Sequence, residues 1–109
     1  MTLQWRVPLQ EVGPISAALH AVMIAGRAEP GCVSCNFSTE MGEEAGLRYV
    51  EEWKREEDLK RQLRSPRFAK LAELMERSTE RPRIEFELPG GVRGLDYAEE
   101  VRRQGGEAR

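Results

Sequence analysis

Side chains able to do chemistry are sparse in this chain. There are two cysteines, Cys32 and Cys35, one histidine, His20, one asparagine, Asn36, and a run from Tyr49 to Phe68 with three aromatics and several arginines. The cysteines form a CxxC, the spacing of a redox pair or of half a zinc site. The surrounding CVSCNFST reads as extended. On a regular strand, residues three apart point to opposite faces with Cα atoms about 10 Å apart, too far for a disulfide. A zinc site would need further thiolate or imidazole ligands, and only His20 is on offer. Both cysteines are therefore read as ordinary thiols, and no metal is expected. His20 lies beside an apolar helical stripe and is retained as a candidate ligand contact.

Composition narrows the function classes. The chain has 109 residues, 17 Lys plus Arg against 19 Asp plus Glu, and 39% hydrophobic residues. That is one domain with room for a core. The two signs of charge alternate along the chain, leaving no basic stripe for nucleic acid. No apolar run is long enough to span a bilayer, and the start MTLQWRVPLQ has no h-region, so a cytoplasmic protein is expected.

The elements that must position these residues follow from periodicity. Leu3, Trp5, Val7 and Leu9 alternate with polar positions, predicting a strand that ends near Pro8. Ile15, Ala18, Leu19, Val22, Met23 and Gly26 recur at helical spacing, between Pro14 and Pro30-Gly31. Alternation returns from Cys32 to Thr39, with Val33, Cys35 and Phe37 on one side and Ser34, Asn36 and Ser38 on the other. A glycine-containing hairpin then leads to a strand over 47–53, where Leu47, Tyr49, Glu51 and Trp53 share a face. A charged helix follows over 54–64, and Ser65-Pro66 restarts a second one carrying Phe68, Leu71, Ala72 and Met75. Ile84, Phe86 and Leu88 predict a last strand, ended by Pro89-Gly90-Gly91. Residues 95–104 predict a short helix, and the final GGEAR is expected to fray.

The order β-α-β-β-α-β is ferredoxin-like, an α+β fold in which one antiparallel sheet carries its helices on a single face. The expected division is a domain over 1–90 and an extension over 91–109. The helix-covered face takes Leu3, Trp5, Val33, Phe37, Tyr49, Trp53, Ile84 and Phe86; the other takes Gln4, Arg6, Ser34, Asn36, Arg48, Val50, Glu52 and Glu85. A bare sheet face is naturally covered by a second copy, so a homodimer is expected.

Three strings in order, Arg27-Ala28-Glu29-Pro30-Gly31-Cys32, Val50-Glu51-Glu52-Trp53 and Leu63-Arg64-Ser65-Pro66-Arg67-Phe68, resemble the antibiotic-biosynthesis monooxygenase family of dimeric α+β barrels. The likeness covers roughly Leu3 to Leu88. It implies oxygenation of a quinol, anthrone or similar small aromatic without a cofactor, in a cavity between sheet and helices bordered by the strand-end tryptophan, here Trp53. Polyketide-oxidising members place asparagine where this chain has Tyr49, and many relatives have histidine where it has Arg67.

What the resemblance implies for chemistry is a site that binds a phenol, stabilises its anion and excludes water, since the reducing electrons must come from the substrate. Trp53, Tyr49 and Arg67 become the candidate catalytic residues, with Tyr49 as hydrogen-bond partner and Arg67 as the charge favouring a phenolate. Trp5, Phe37, Phe68, His20 and Asn36 are candidate substrate contacts. The aromatics among them equally serve a small core. The alternative function is a small-molecule-binding or sensing dimer with the same pocket and no turnover.

Overall fold

The structure is a computed structural model that describes residues 1–107. Five strands and four helices follow in the order β1 (Thr2–Val7), α1 (Val12–Arg27), β2 (Cys32–Met41), β3 (Ala45–Trp53), α2 (Glu56–Leu63), α3 (Pro66–Met75), β4 (Arg83–Leu88), β5 (Gly91–Arg93) and α4 (Leu95–Glu107). A single 3-10 turn, Leu9–Glu11, leads into α1. The sheet is antiparallel with strand order β2-β3-β1-β4-β5 and the helices pack on it, the ferredoxin-like arrangement expected from the pattern.

Period-two alternation decides which side chains meet the helices. Leu3, Trp5 and Val7 of β1, Ala45, Leu47, Tyr49 and Glu51 of β3, and Phe86 of β4 are all buried. Leu19 of α1 and Leu63 and Leu71 of the later helices close over them. At about 25 cal/mol per Å2 of apolar surface, this sheet–helix layer is the main stabilising term of the fold.

Three expectations change. Val33 was placed on the helix side, but a β-bulge between Cys32 and Ser34 shifts the register and leaves Val33 61% exposed. The bulge also reverses the parity of the cysteines. Cys32 pairs with Trp53 and Cys35 with Glu51, so both face the helices rather than opposite sides; both are free thiols. In addition, Pro89-Gly90 turns the chain instead of ending the sheet. Gly91, with φ of +127°, opens a short fifth strand, a conformation that glycine adopts without steric cost.

The 91–107 segment belongs to the same core. Tyr97, Ala98 and Val101 of α4 are buried, and the Tyr97 ring lies 5.2 Å from that of Phe86. Residues 105–107 are helical, whereas 108–109, the end of the tail expected to fray, lie outside the described residues.

The α1–β2 corner turns at Gly31, whose φ is +85°. The Gly31 carbonyl accepts from Lys54 N at 2.8 Å, tying the corner to the end of β3. Beneath it sits the Asp58 carboxylate of α2, only 2% exposed and bonded to Arg61 at 3.2 Å. A Cβ at position 31 would overlap that carboxylate. Gly31→Ala should therefore cost about 1–3 kcal/mol from the backbone and more from the overlap. In an Asp58→Ala background the overlap vanishes, so urea denaturation should show a smaller cost there; strictly additive costs would contradict the packing described.

Candidate functional site

On the helix-facing side of β3, Tyr49, Glu51 and Trp53 stand in one row, and the middle residue organises the others. Glu51 is 1% exposed. Its Oε2 accepts from the Tyr49 hydroxyl at 2.6 Å and from Gln62 Nε2 at 2.9 Å, while Oε1 accepts from the Trp53 indole N–H at 3.1 Å. The Cys35 thiol, opposite on β2, lies 3.0 Å from Tyr49 Oη. Gln62 Oε1 accepts in turn from Arg67 Nη2 and from Ser65 Oγ, the latter at 3.0 Å. Arg67 Nη1 pairs with Glu29 at 2.7 Å.

Local structure explains the convergence. Strand spacing points positions 49, 51 and 53 the same way. In α2, Asp58, Leu59, Gln62 and Leu63 form the buried stripe, at helical spacing, which aims Gln62 at the sheet. Ser65 caps α3, accepting from Phe68 N at 3.4 Å with Pro66 in the first turn, and this restart swings Arg67 back towards Gln62. From α1, Gly26 lets the helix approach, since a Cβ there would lie 3.3 Å from Cys35 Sγ and 3.6 Å from Glu51 Oε2.

Burial controls the electrostatics. It raises the Glu51 carboxyl above its ordinary value, opposed by the hydrogen bonds from Tyr49 and Trp53 and by the charges of Arg67 and the Met1 amine. That amine donates to the Glu51 carbonyl at 2.9 Å. Burial, reinforced by the Glu51 charge, also raises the Tyr49 hydroxyl, which stays a hydrogen-bond donor. The Cys35 thiol is pushed up to about 11 by burial and remains protonated at neutral pH, unsuited to nucleophilic attack. Among these groups the Glu51 carboxyl is the one acid of ordinarily low proton affinity, and burial raises that affinity. Among the described residues no group of three or more His, Cys, Asp or Glu side chains could hold a metal ion.

Beyond the start of β1 the sheet opens between the ends of β3 and β4, and α2 borders the gap. The resulting cleft has a volume of about 320 Å3 and is lined by Trp53, Leu59, Leu88, Val33 and Met1, with Glu51 also reaching it. Glu52, Lys54, Arg55, Glu56, Glu87 and Pro89 complete its lining. Trp53 thus touches both the carboxyl network and an open, partly apolar space.

Tyr49, Trp53 and Arg67 are brought together, but through Glu51 and Gln62, neither of which was singled out from the sequence. Phe37 lies opposite Tyr49 and is half-buried. Phe68 is buried in the first turn of α3, with the Arg102 guanidinium 6.0 Å from its ring centroid. Trp5 is buried opposite Leu47, away from the cleft, and its indole N–H has no acceptor. His20 is exposed on α1, outside the network. Asn36 is on the other sheet face, where Oδ1 accepts from Arg27 at 2.7 Å.

No family model matches the chain, and no curated protein matches it. Solved structures do. A conserved protein from Methanosarcina mazei Go1 superposes with a TM-score of 0.58 at 20% identity, covering 74% of this chain and 83% of that one. Rv0793 from Mycobacterium tuberculosis gives 0.56 at 24% identity, over 74% and 85%. At these identities the likeness establishes the shared fold. No helix among the described residues is long and apolar enough to cross a membrane.

The raised Glu51 carboxyl has a thermodynamic signature. The folded chain holds this proton to higher pH than the unfolded chain does, so stability is greatest below the unfolded value and falls as pH rises through the folded one. Each unit of displacement corresponds to about 1.4 kcal/mol. Glu51→Gln has no such proton to lose. In urea denaturation across pH, the wild type should lose stability relative to Glu51→Gln as pH rises from the acid side; parallel profiles would show that Glu51 is not perturbed.

Proposed function

We propose that the chain is a cofactor-independent monooxygenase of the antibiotic-biosynthesis type, acting on a quinol, anthrone or similar small electron-rich aromatic. The observation that carries this reading is the buried Glu51 carboxyl, wired to Tyr49 and Trp53 beside an open cleft of about 320 Å3. Such a substrate stacks on the Trp53 indole, and its acidic proton passes to Glu51 in the ionised form. The substrate anion gives one electron to dioxygen, and the resulting radical and superoxide join in a C–O bond. The peroxide then takes a proton at its outer oxygen, the O–O bond breaks, and the carbon loses its remaining hydrogen as a proton. The sum is a CH2 carbon plus dioxygen giving a carbonyl and water, so the substrate supplies all the reducing electrons.

Each residue has a part in this scheme. Glu51 accepts and returns protons; Tyr49, whose hydroxyl keeps its proton, orients the carboxyl; Trp53, Leu59 and Leu88 form the apolar part of the cleft wall against which the substrate ring packs. Arg67 supports the network from behind through Gln62 rather than pairing with a phenolate directly. The bare sheet face, with Gln4, Arg6, Arg48 and Arg83 around a concavity of about 290 Å3, is proposed as the surface covered by a second copy in a homodimer.

Oxygen-electrode assays with an anthrone or naphthoquinol test the reading. Stoichiometric uptake should match product carbonyl formed. Glu51→Gln should lower kcat/KM by about 100-fold or more, the range for a lost general base, and Trp53→Ala and Tyr49→Phe should also lose activity. Normal turnover in folded Trp53→Ala and Tyr49→Phe would refute the site. Saturable binding without oxygen uptake would instead assign a ligand-sensing role to the same cleft.

A further inference from the structure

Arg67 and Glu51 are opposite charges on adjoining elements, and they do not touch. Between them stands the Gln62 side chain, 2% exposed. Its amide has one possible orientation. Oε1 faces Arg67 Nη2, a guanidinium that can only donate, so Nε2 must face Glu51 Oε2, as found at 2.9 Å. Ser65 Oγ, 3.0 Å from Oε1, reinforces the same orientation. The guanidinium finds its anion elsewhere, in Glu29 at 2.7 Å. The side-chain donors to Glu51 are all neutral: a phenol, an indole, an amide and, at 4.0 Å, the Cys35 thiol.

We propose that Gln62 is a positioning residue that holds the Arg67 guanidinium away from the Glu51 carboxyl while linking the two through one neutral amide, so that Glu51 can both take up and release a proton. A direct bidentate Arg–carboxylate pair would lock Glu51 in its ionised form. Without any donor on the α2 side, the buried carboxyl would resist ionising. The amide sets a middle course. The bearing of this arrangement on catalysis rests on the oxygenase reading; the separation of charge does not.

The other groups facing Glu51 are consistent with this division. From β3 comes Tyr49, and from β2 Cys35 and Cys32, all neutral when protonated. Ahead of β1 lies the Met1 amine, which bonds the Glu51 backbone carbonyl rather than its carboxyl. From α1, Gly26 presents no side chain. On α2, Asp58 is engaged by Arg55 and Arg61. From α1, the Arg27 guanidinium bonds the Cys35 backbone carbonyl and Asn36 rather than the carboxyl. Arg67 is the side-chain cation whose charge bears on Glu51, and Gln62 stands between the two.

The test is carboxyl titration by NMR in protein labelled with 13C-glutamate, the Glu51 signal being assigned by its loss in Glu51→Gln. In Gln62→Ala the guanidinium gains access, and the Glu51 midpoint should fall by about one to three pH units. In Gln62→Ala/Arg67→Ala it should return to the wild-type value or above. In Gln62→Met, which keeps the bulk and removes the amide, it should stay level or rise. A midpoint unmoved or raised in folded Gln62→Ala, or a fall that persists in the double variant, would overturn the proposal. If Gln62→Ala does not fold, a fall in Gln62→Met overturns it and a level or raised midpoint supports it. The acid limb of the oxygen-uptake profile should move with the carboxyl midpoint. A carboxyl that moves without that limb supports the charge separation and refutes Glu51 as the base.

Discussion

A carboxyl group taken out of water is costly unless donors replace its hydration, and this constraint at Glu51 accounts for much of the surrounding structure. Four donors from three elements converge on its two oxygens. To supply them, β3 must run in register to Trp53, α2 must turn Gln62 inward, and α1 must come close enough at Gly26 to seal the space. A hydrophobic residue at position 51 would satisfy the fold with less demand on its neighbours. Retention of an ionisable group in the middle of the sheet–helix layer is therefore an observation about function as well as about folding.

The placement of the network also explains why chemistry would occur at one end of the sheet. Around β1 the layer is filled by the buried side chains of Leu3, Trp5, Leu47 and Phe86. At the end of β3 the sheet loses its central strand, and the space between β3 and β4 is bordered by Trp53, Leu59 and Leu88. Trp53 joins the two regions, with its N–H in the network and its ring at the cleft. The Tyr49 and Cys35 hydrogens stay in place over the neutral range because burial raises both groups, so they orient Glu51 without competing with it for a proton.

Much of the fold was legible in the residues. Alternation from Leu3 towards Pro8, over 47–53 and through Ile84, Phe86 and Leu88 marks three of the strands, and Ser65-Pro66 marks the restart between α2 and α3. The failures have physical reasons. A β-bulge is a backbone event without a side-chain signal, so Val33 and the parity of Cys32 and Cys35 were misassigned. Gly90-Gly91 signals a turn equally well whether a strand ends there or reverses. At the site, Tyr49 and Trp53 were visible as aromatics on one face. Glu51 lay between them on that same apolar face, and a carboxylate in an apolar row was the available signal. Gln62 shared the inward stripe with Leu59 and Leu63, but it was hidden among charges that read as solvated surface. Arg67 was identified by type, while its partner was a matter of tertiary geometry.

The central claim is that a small aromatic binds at Trp53, against the Glu51 network. The chain has two tryptophans, Trp5 and Trp53, and their indole N–H groups have different surroundings: one bonded to Glu51, the other buried without an acceptor. Titration of 15N-labelled protein with a naphthoquinol under anaerobic conditions, followed through these two indole signals, tests that claim most directly. A saturable shift of the Trp53 signal with the Trp5 signal unmoved is the predicted result, and a stationary Trp53 signal, or a shift confined to Trp5, would contradict it.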